Sequence, residues 1–90
     1  MRSFEIVATA VITMPPTPYT LRESFVKNEA LDDFWEQVDF IKNIIVPGKI
    51  EKIYEVSTTV QADDEEEAIN QMPEYENTEI YEWQVFDLGY

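Results

Sequence analysis

Two long stretches of this chain alternate with a period of two, and nothing else in the sequence limits the fold as tightly. Across residues 4 to 14, Phe4, Ile6, Ala8, Ala10, Ile12 and Met14 fall on one side, while Glu5, Thr9 and Thr13 share the other with Val7 and Val11. Successive side chains of an extended chain point to opposite faces, so this pattern predicts a strand long enough to cross a sheet. Pro15, Pro16 and Pro18 end it, because proline has no N–H for a ladder and restrains the residue before it. The second run sets Ile50, Tyr54, Val56, Thr58, Val60 and Ala62 against Glu51, Glu55, Ser57 and Gln61, with Ile53 out of place. A third strand is expected over residues 80 to 88, with Tyr81, Trp83 and Val85 on one face and Ile80, Phe86 and Leu88 largely on the other. Apolar residues on both faces fit a central strand or one that meets a partner.

Helical spacing is expected in two places. Leu31, Phe34, Trp35, Val38, Ile41 and Ile45 follow one helical face, widened by Phe40 and Ile44. Asn28 supplies an N-cap, Glu29, Asp32 and Asp33 put negative charge at the positive end of the dipole, and Pro47-Gly48 is the stop. Asp63 opens a second, short helix. With Glu66 three residues on it has the form of a capping box, Ala68, Ile69 and Met72 give a small buried edge, and Pro73 ends it. Residues 19 to 27 fit either a short edge strand or a helical turn, and the strand is the preferred reading. The expected fold is therefore a single α+β domain over residues 1–90, a small sandwich with a three- to four-stranded sheet and two helices packed on one face. A chain of this length buries about 60% of its unfolded surface, which leaves one thin core and no deep cleft.

Composition then narrows function. There is no cysteine and no histidine, which removes disulfide scaffolds, thiol nucleophiles, thiolate metal sites and the commonest general base. Ser3, Ser24 and Ser57 have no histidine to activate them, and Gly48 and Gly89 make no phosphate-cradling loop. No catalytic residue and no cofactor is expected. No run reaches the ~18 apolar residues of a membrane span, and Glu5 interrupts any leader-like core near the start, so a cytoplasmic protein is expected. Nineteen acids against six bases give a net charge of −13, which disfavours direct contact with nucleic acid or anionic lipid and favours a basic protein surface.

The charge is unevenly placed. Residues 1 to 50 carry seven acids and five bases, whereas residues 51 to 90 carry twelve acids against Lys52 alone. The acid block Asp63, Asp64, Glu65, Glu66 and Glu67 has an ordinary use in helix capping and solvation. Joined to Glu74, Glu76, Glu79 and Glu82, it becomes an extended negative surface able to occupy a groove built for phosphates. Tyr81 and Trp83, bordered by Glu79 and Glu82, are the candidate aromatic anchors of an interface, although packing under the helices is the more common role for such residues. Calcium would need converging oxygens and an alternating acidic loop, and the five consecutive acids fan out around a helix instead, so no metal site is expected.

The segment Val56-Ser57-Thr58-Thr59-Val60-Gln61-Ala62-Asp63-Asp64-Glu65-Glu66-Glu67-Ala68-Ile69 resembles the strand, acidic turn and helix start of small acidic phage and mobile-element proteins. That resemblance covers residues 54 to 88 at most and carries over no individual residue roles. It implies an inhibitor of host defence or of host nucleic-acid enzymes, of the anti-CRISPR type, acting in the host cytoplasm. The leading expectation is thus a non-enzymatic acidic binding protein, monomer or homodimer, seated on a basic nucleic-acid-binding site. Its rival is a small assembly protein that pairs through an edge strand or an apolar strand face, with the charge serving solubility.

Overall fold

The computed structural model describes residues 1–21, 31 and 33–89 of the chain. Its frame is one antiparallel sheet of four strands: β1 (Arg2–Met14), β2 (Gln37–Val46), β3 (Lys49–Ala62) and β4 (Thr78–Asp87), in the order β2-β3-β1-β4. A single short helix, α1 (Glu65–Asn70), completes the elements among the described residues. The domain is mostly β.

The two alternating runs form the centre. β1 and β3 pair without interruption from Arg2 opposite Ala62 to Met14 opposite Ile50. Residues directly opposite share a face, so this register puts Phe4, Ile6, Ala8, Ala10 and Ile12 beside Val60, Thr58, Val56, Tyr54 and Lys52. That face is buried, and its cover comes from Leu31, Trp35, Ala68 and the connection through Met72 and Tyr75. Trp35 is the keystone of the cover: its ring stands edge-on to Phe34 at 5.1 Å and tilted over Trp83 at 6.1 Å. The backbone around it is tied to the sheet by Glu36 N–H donating to the Ser57 carbonyl and by the Thr58 hydroxyl donating to the Phe34 carbonyl.

The helix expected to run from Asn28 to Ile45 is corrected: residues 37–46 are the edge strand β2. Only its beginning, at 28–30 and 32, lies outside the described residues. The reason is physical. Val38, Ile41, Ile44, Ile45 and Val46 are β-branched and stiff at χ1, which favours a pleated surface over a helix. The strand was disguised because a bulge at Ile41 shifts the pairing between Phe40–Tyr54 and Lys42–Ile53, breaking the period of two. Pro47-Gly48, expected as a helix stop, is a two-residue hairpin turn instead. Proline suits its first position and Gly48, at φ +81°, supplies the positive φ that a type II turn needs at its second.

Smaller differences follow the same logic. Residues 19–21 form a turn, with Leu21 N–H donating to the Thr17 carbonyl, and the rest of the short strand expected at 19–27 lies outside the described residues. The N-cap of α1 is Asp64, not Asp63: its Oδ1 accepts from Glu67 N–H at 2.8 Å, while Glu67 Oε2 accepts from Asp63 N–H at 3.3 Å. The strand over 80–88 is the other edge of the sheet rather than a central strand. No helix among the described residues is long and apolar enough to cross a membrane.

Two buried polar groups stand out. Lys52, which the alternation had skipped, points into the covered face, donates to Asn43 Oδ1 at 3.0 Å and lies 5.6 Å from the Phe40 ring centre. Burial lowers its pKa from 10.5. Tyr75 is raised from 10.0 by burial first and then by the Asp33 charge, against an opposite pull from Trp35. The Trp35 indole nitrogen and Tyr75 oxygen are both buried, and neither completes a hydrogen bond among the described residues.

Two predictions follow from this arrangement. Trp35→Ala should lower stability by about 3–5 kcal/mol in denaturant titration, whereas Ile41→Ala and Ile45→Ala, exposed on β2, should each cost under about 1 kcal/mol. A helical stripe would make all three costly. For Tyr75, a raised folded pKa means the unfolded chain ionises first, so its contribution is complete below pH 10.0 and lost as pH rises beyond. Lys52 acts with the opposite sign, gaining stability toward pH 10.5. Tyr75→Phe should therefore melt like the wild type at pH 7 and lose less stability than the wild type above pH 10.0.

Candidate acidic interface

A sheet covered on one side leaves the other to solvent, and here that open face collects charge. Pairing assigns Glu5, Val7, Thr9 and Val11 of β1 to it, with Glu51, Ile53, Glu55 and Ser57 of β3 alongside. Asp39, Lys42 and Ile44 join from β2. From β4 come Phe86 opposite Glu5, Gln84 opposite Val7, Tyr81 opposite Thr9 and Glu79 opposite Val11. Carboxylates thus come from all four strands. Among the described residues the only bases on this face are Lys42 and Lys49, and Lys49 is held by Glu51 at 3.3 Å.

Glu82 sits within this face in an unusual way. Between the Val7–Gln84 and Thr9–Tyr81 pairs, β4 places two residues, Glu82 and Trp83, against Ala8 alone. This is a bulge, and Glu82 occupies it at φ +55°, the left-handed region that favours glycine. Beside it, Val7, Ala8, Thr9, Glu55, Glu82 and Gln84 line a shallow depression of about 200 Å³. Glycine would adopt this backbone more easily, so the bulge holds Glu82 at a conformational cost.

The bulge also separates the two aromatic candidates. The alternation put Tyr81, Trp83 and Val85 on one face, but the extra residue reverses parity. Tyr81 lies on the open face with Phe86, exposed to 45% and 47%, and Trp83 turns to the covered face against Trp35. Only Tyr81 of the pair is placed with the open-face carboxylates.

The acids grouped as one surface are likewise divided. Asp63, Asp64, Glu65, Glu66 and Glu67 stand at the end of the sheet where β1 begins, and Arg2 bonds the Asp63 carbonyl at 2.8 Å and Asp87 at 3.0 Å there. Glu74 and Glu76 lie in the connection that runs from α1 to the opposite end, where Thr13 N–H donates to the Asn77 carbonyl. Glu74 and Glu79 border an open hollow of about 410 Å³ with Met72, Tyr75, Ile80 and Tyr81. Of the nine acids, only Glu79 and Glu82 belong to the open face. Those that sequence reasoning left out are Glu5, Glu51, Glu55 and Asp39. For three of them the signal was present, since Glu5, Glu51 and Glu55 fall on the polar side of their alternating runs.

No three carboxylates among the described residues converge closely enough to hold a metal ion. Comparison with protein-family models, curated proteins and solved structures finds no match.

The strain at Glu82 has a measurable sign. Left-handed backbone costs a residue with a Cβ about 1–2 kcal/mol, and glycine gives back about 0.5–1 kcal/mol through the entropy of its unfolded chain. Glu82→Gly should therefore raise stability by about 0.5–1 kcal/mol in urea titration. A destabilised Glu82→Gly protein would show that the bulge does not hold Glu82 under strain.

Proposed function

We propose that this chain is a non-enzymatic acidic binding protein whose negative face occupies a basic, nucleic-acid-binding site on another protein, the role that its resemblance to small phage-type inhibitors implies. The observation that carries this reading is Glu82, kept in a left-handed bulge on the open face beside Glu55. Four further carboxylates lie on the same face, and neighbouring strands run about 4.8 Å apart with about 3.4 Å between successive residues. Glu51 and Glu55 are thus spaced about 14 Å along β3. Charges spread over such a face meet the phosphate contacts of a basic groove at several points at once, and long-range attraction speeds the encounter. Val7, Ile53, Tyr81 and Phe86 supply apolar contact between them. The acids of α1, at the end of the sheet, add to steering.

Capture from a host lysate on the immobilised chain tests the reading. A partner should bind at about 0.05 M salt, be lost near 1 M and be displaced by added duplex DNA or RNA. Exposed charge pairs contribute about 0.2–1 kcal/mol each, so replacing Glu55, Glu79 and Glu82 together by glutamine should weaken binding roughly threefold to a hundredfold. The same change at Glu65, Glu66 and Glu67 should matter less. A partner that survives 1 M salt, or ignores the open-face substitutions, would overturn the proposal.

A further inference from the structure

We infer that a second copy of this chain pairs antiparallel along the outer edge of β2, joining two four-stranded sheets into one of eight strands. Among the described residues β2 and β4 are the edges of the sheet, and an edge strand presents a row of backbone donors and acceptors that a further strand completes. The two edges differ in what they show. β2 exposes Ile41, Ile44 and Ile45, the last to 65%, and carries one acid, Asp39, matched by one base, Lys42. The whole β2–β3 hairpin is neutral, with Lys42, Lys49 and Lys52 balancing Asp39, Glu51 and Glu55. Residues 63 to 90, which include β4, hold ten acids and no base.

Two chains of net charge −13 repel each other, so the side on which they meet matters. Pairing through β4 would set Glu79 and Glu82 of one copy against those of the other. Pairing through β2 brings neutral strands together and leaves the two β4 strands at opposite margins, seven strand spacings or about 34 Å apart. That is about four Debye lengths at physiological salt. The exposed isoleucines gain cross-strand neighbours in the same step. A bulge and a lysine are devices that blunt an edge, but with Asp39 on the same strand Lys42 leaves it neutral rather than charged. A two-fold axis normal to the sheet keeps both open faces on one side, so the pair presents a carboxylate face of twice the width. The inference rests on the β2 edge and not on the acidic-partner reading.

Sedimentation equilibrium on the full chain tests it. The expected result is a mass of two chains, with association tightening from about 0.05 M to 0.5 M salt as residual repulsion is screened. Combined Ile41→Lys and Ile45→Lys substitutions should give a monomer. The pair Ile41→Thr and Ile45→Thr, which keeps the β preference, should weaken association about tenfold with an unchanged circular dichroism spectrum. Tyr81→Lys should leave the dimer intact. A single-chain mass at every concentration and salt, or a dimer that both β2 variants leave untouched, overturns the inference. A monomer that still binds a basic partner would remove the β2 pairing and leave the acidic face standing, since salt acts on the two associations with opposite sign.

Discussion

Thirteen consecutive residue pairs hold β1 against β3, and the rest of the structure depends on that register. A slip of one residue would turn Phe4, Ile6 and Ile12 to the open side and bring Glu5 and Val7 inward. The pairing is defended from both strands, because each buries every second residue on the same face. With the central pair set, β2 is placed by a two-residue turn and β4 by the crossing of the 71–77 connection. Among the described residues, the cover over the buried face comes from Leu31, the Trp35 wedge, about one and a half turns of helix, and the side chains of Met72 and Tyr75.

A one-sided sheet creates the functional question as a by-product of its stability. Covering one face satisfies the core, and the opposite face is left for whatever the polar half of the alternation supplies. In this chain it supplies carboxylates from four strands, with aromatic and branched apolar residues between them. The acid-rich α1, which dominates the sequence by eye, does local work: Asp64 caps the helix and Glu67 returns a bond to the preceding turn. Charge density along a sequence and charge density on a surface are different quantities, because strand pairing gathers acids that lie far apart in the chain.

Two bulges govern the edges. The one at Ile41 keeps β2 from a clean alternation and leaves Ile41, Ile44 and Ile45 exposed on an edge that is otherwise electrically neutral. The one at Glu82 turns Tyr81 and Trp83 to opposite faces, giving one to the open side and the other to the core beside Trp35. Each inserts a single residue, and each reassigns the side chains beyond it. The neutral edge and the acidic face thus meet at β2, whose Asp39, Lys42 and Ile44 belong to both.

Legible in the sequence alone were strands over 4–14 and 50–62 with the apolar residues that alternate along them, the short acid-capped helix and a last strand near 80–88. Period-two burial is a local property, written residue by residue, so it survives without knowledge of neighbours. The nature of residues 37–46 was decided only in three dimensions. Their apolar spacing suits a helix as well as a bulged strand, and pairing with β3 settles which form is satisfied. The same holds for the covered position of Lys52, the parting of Tyr81 from Trp83 and the gathering of Glu5, Glu51, Glu55, Glu79 and Glu82 on one face. Strand order and bulges fix which distant side chains share a surface, and neither is encoded in the spacing of any one segment.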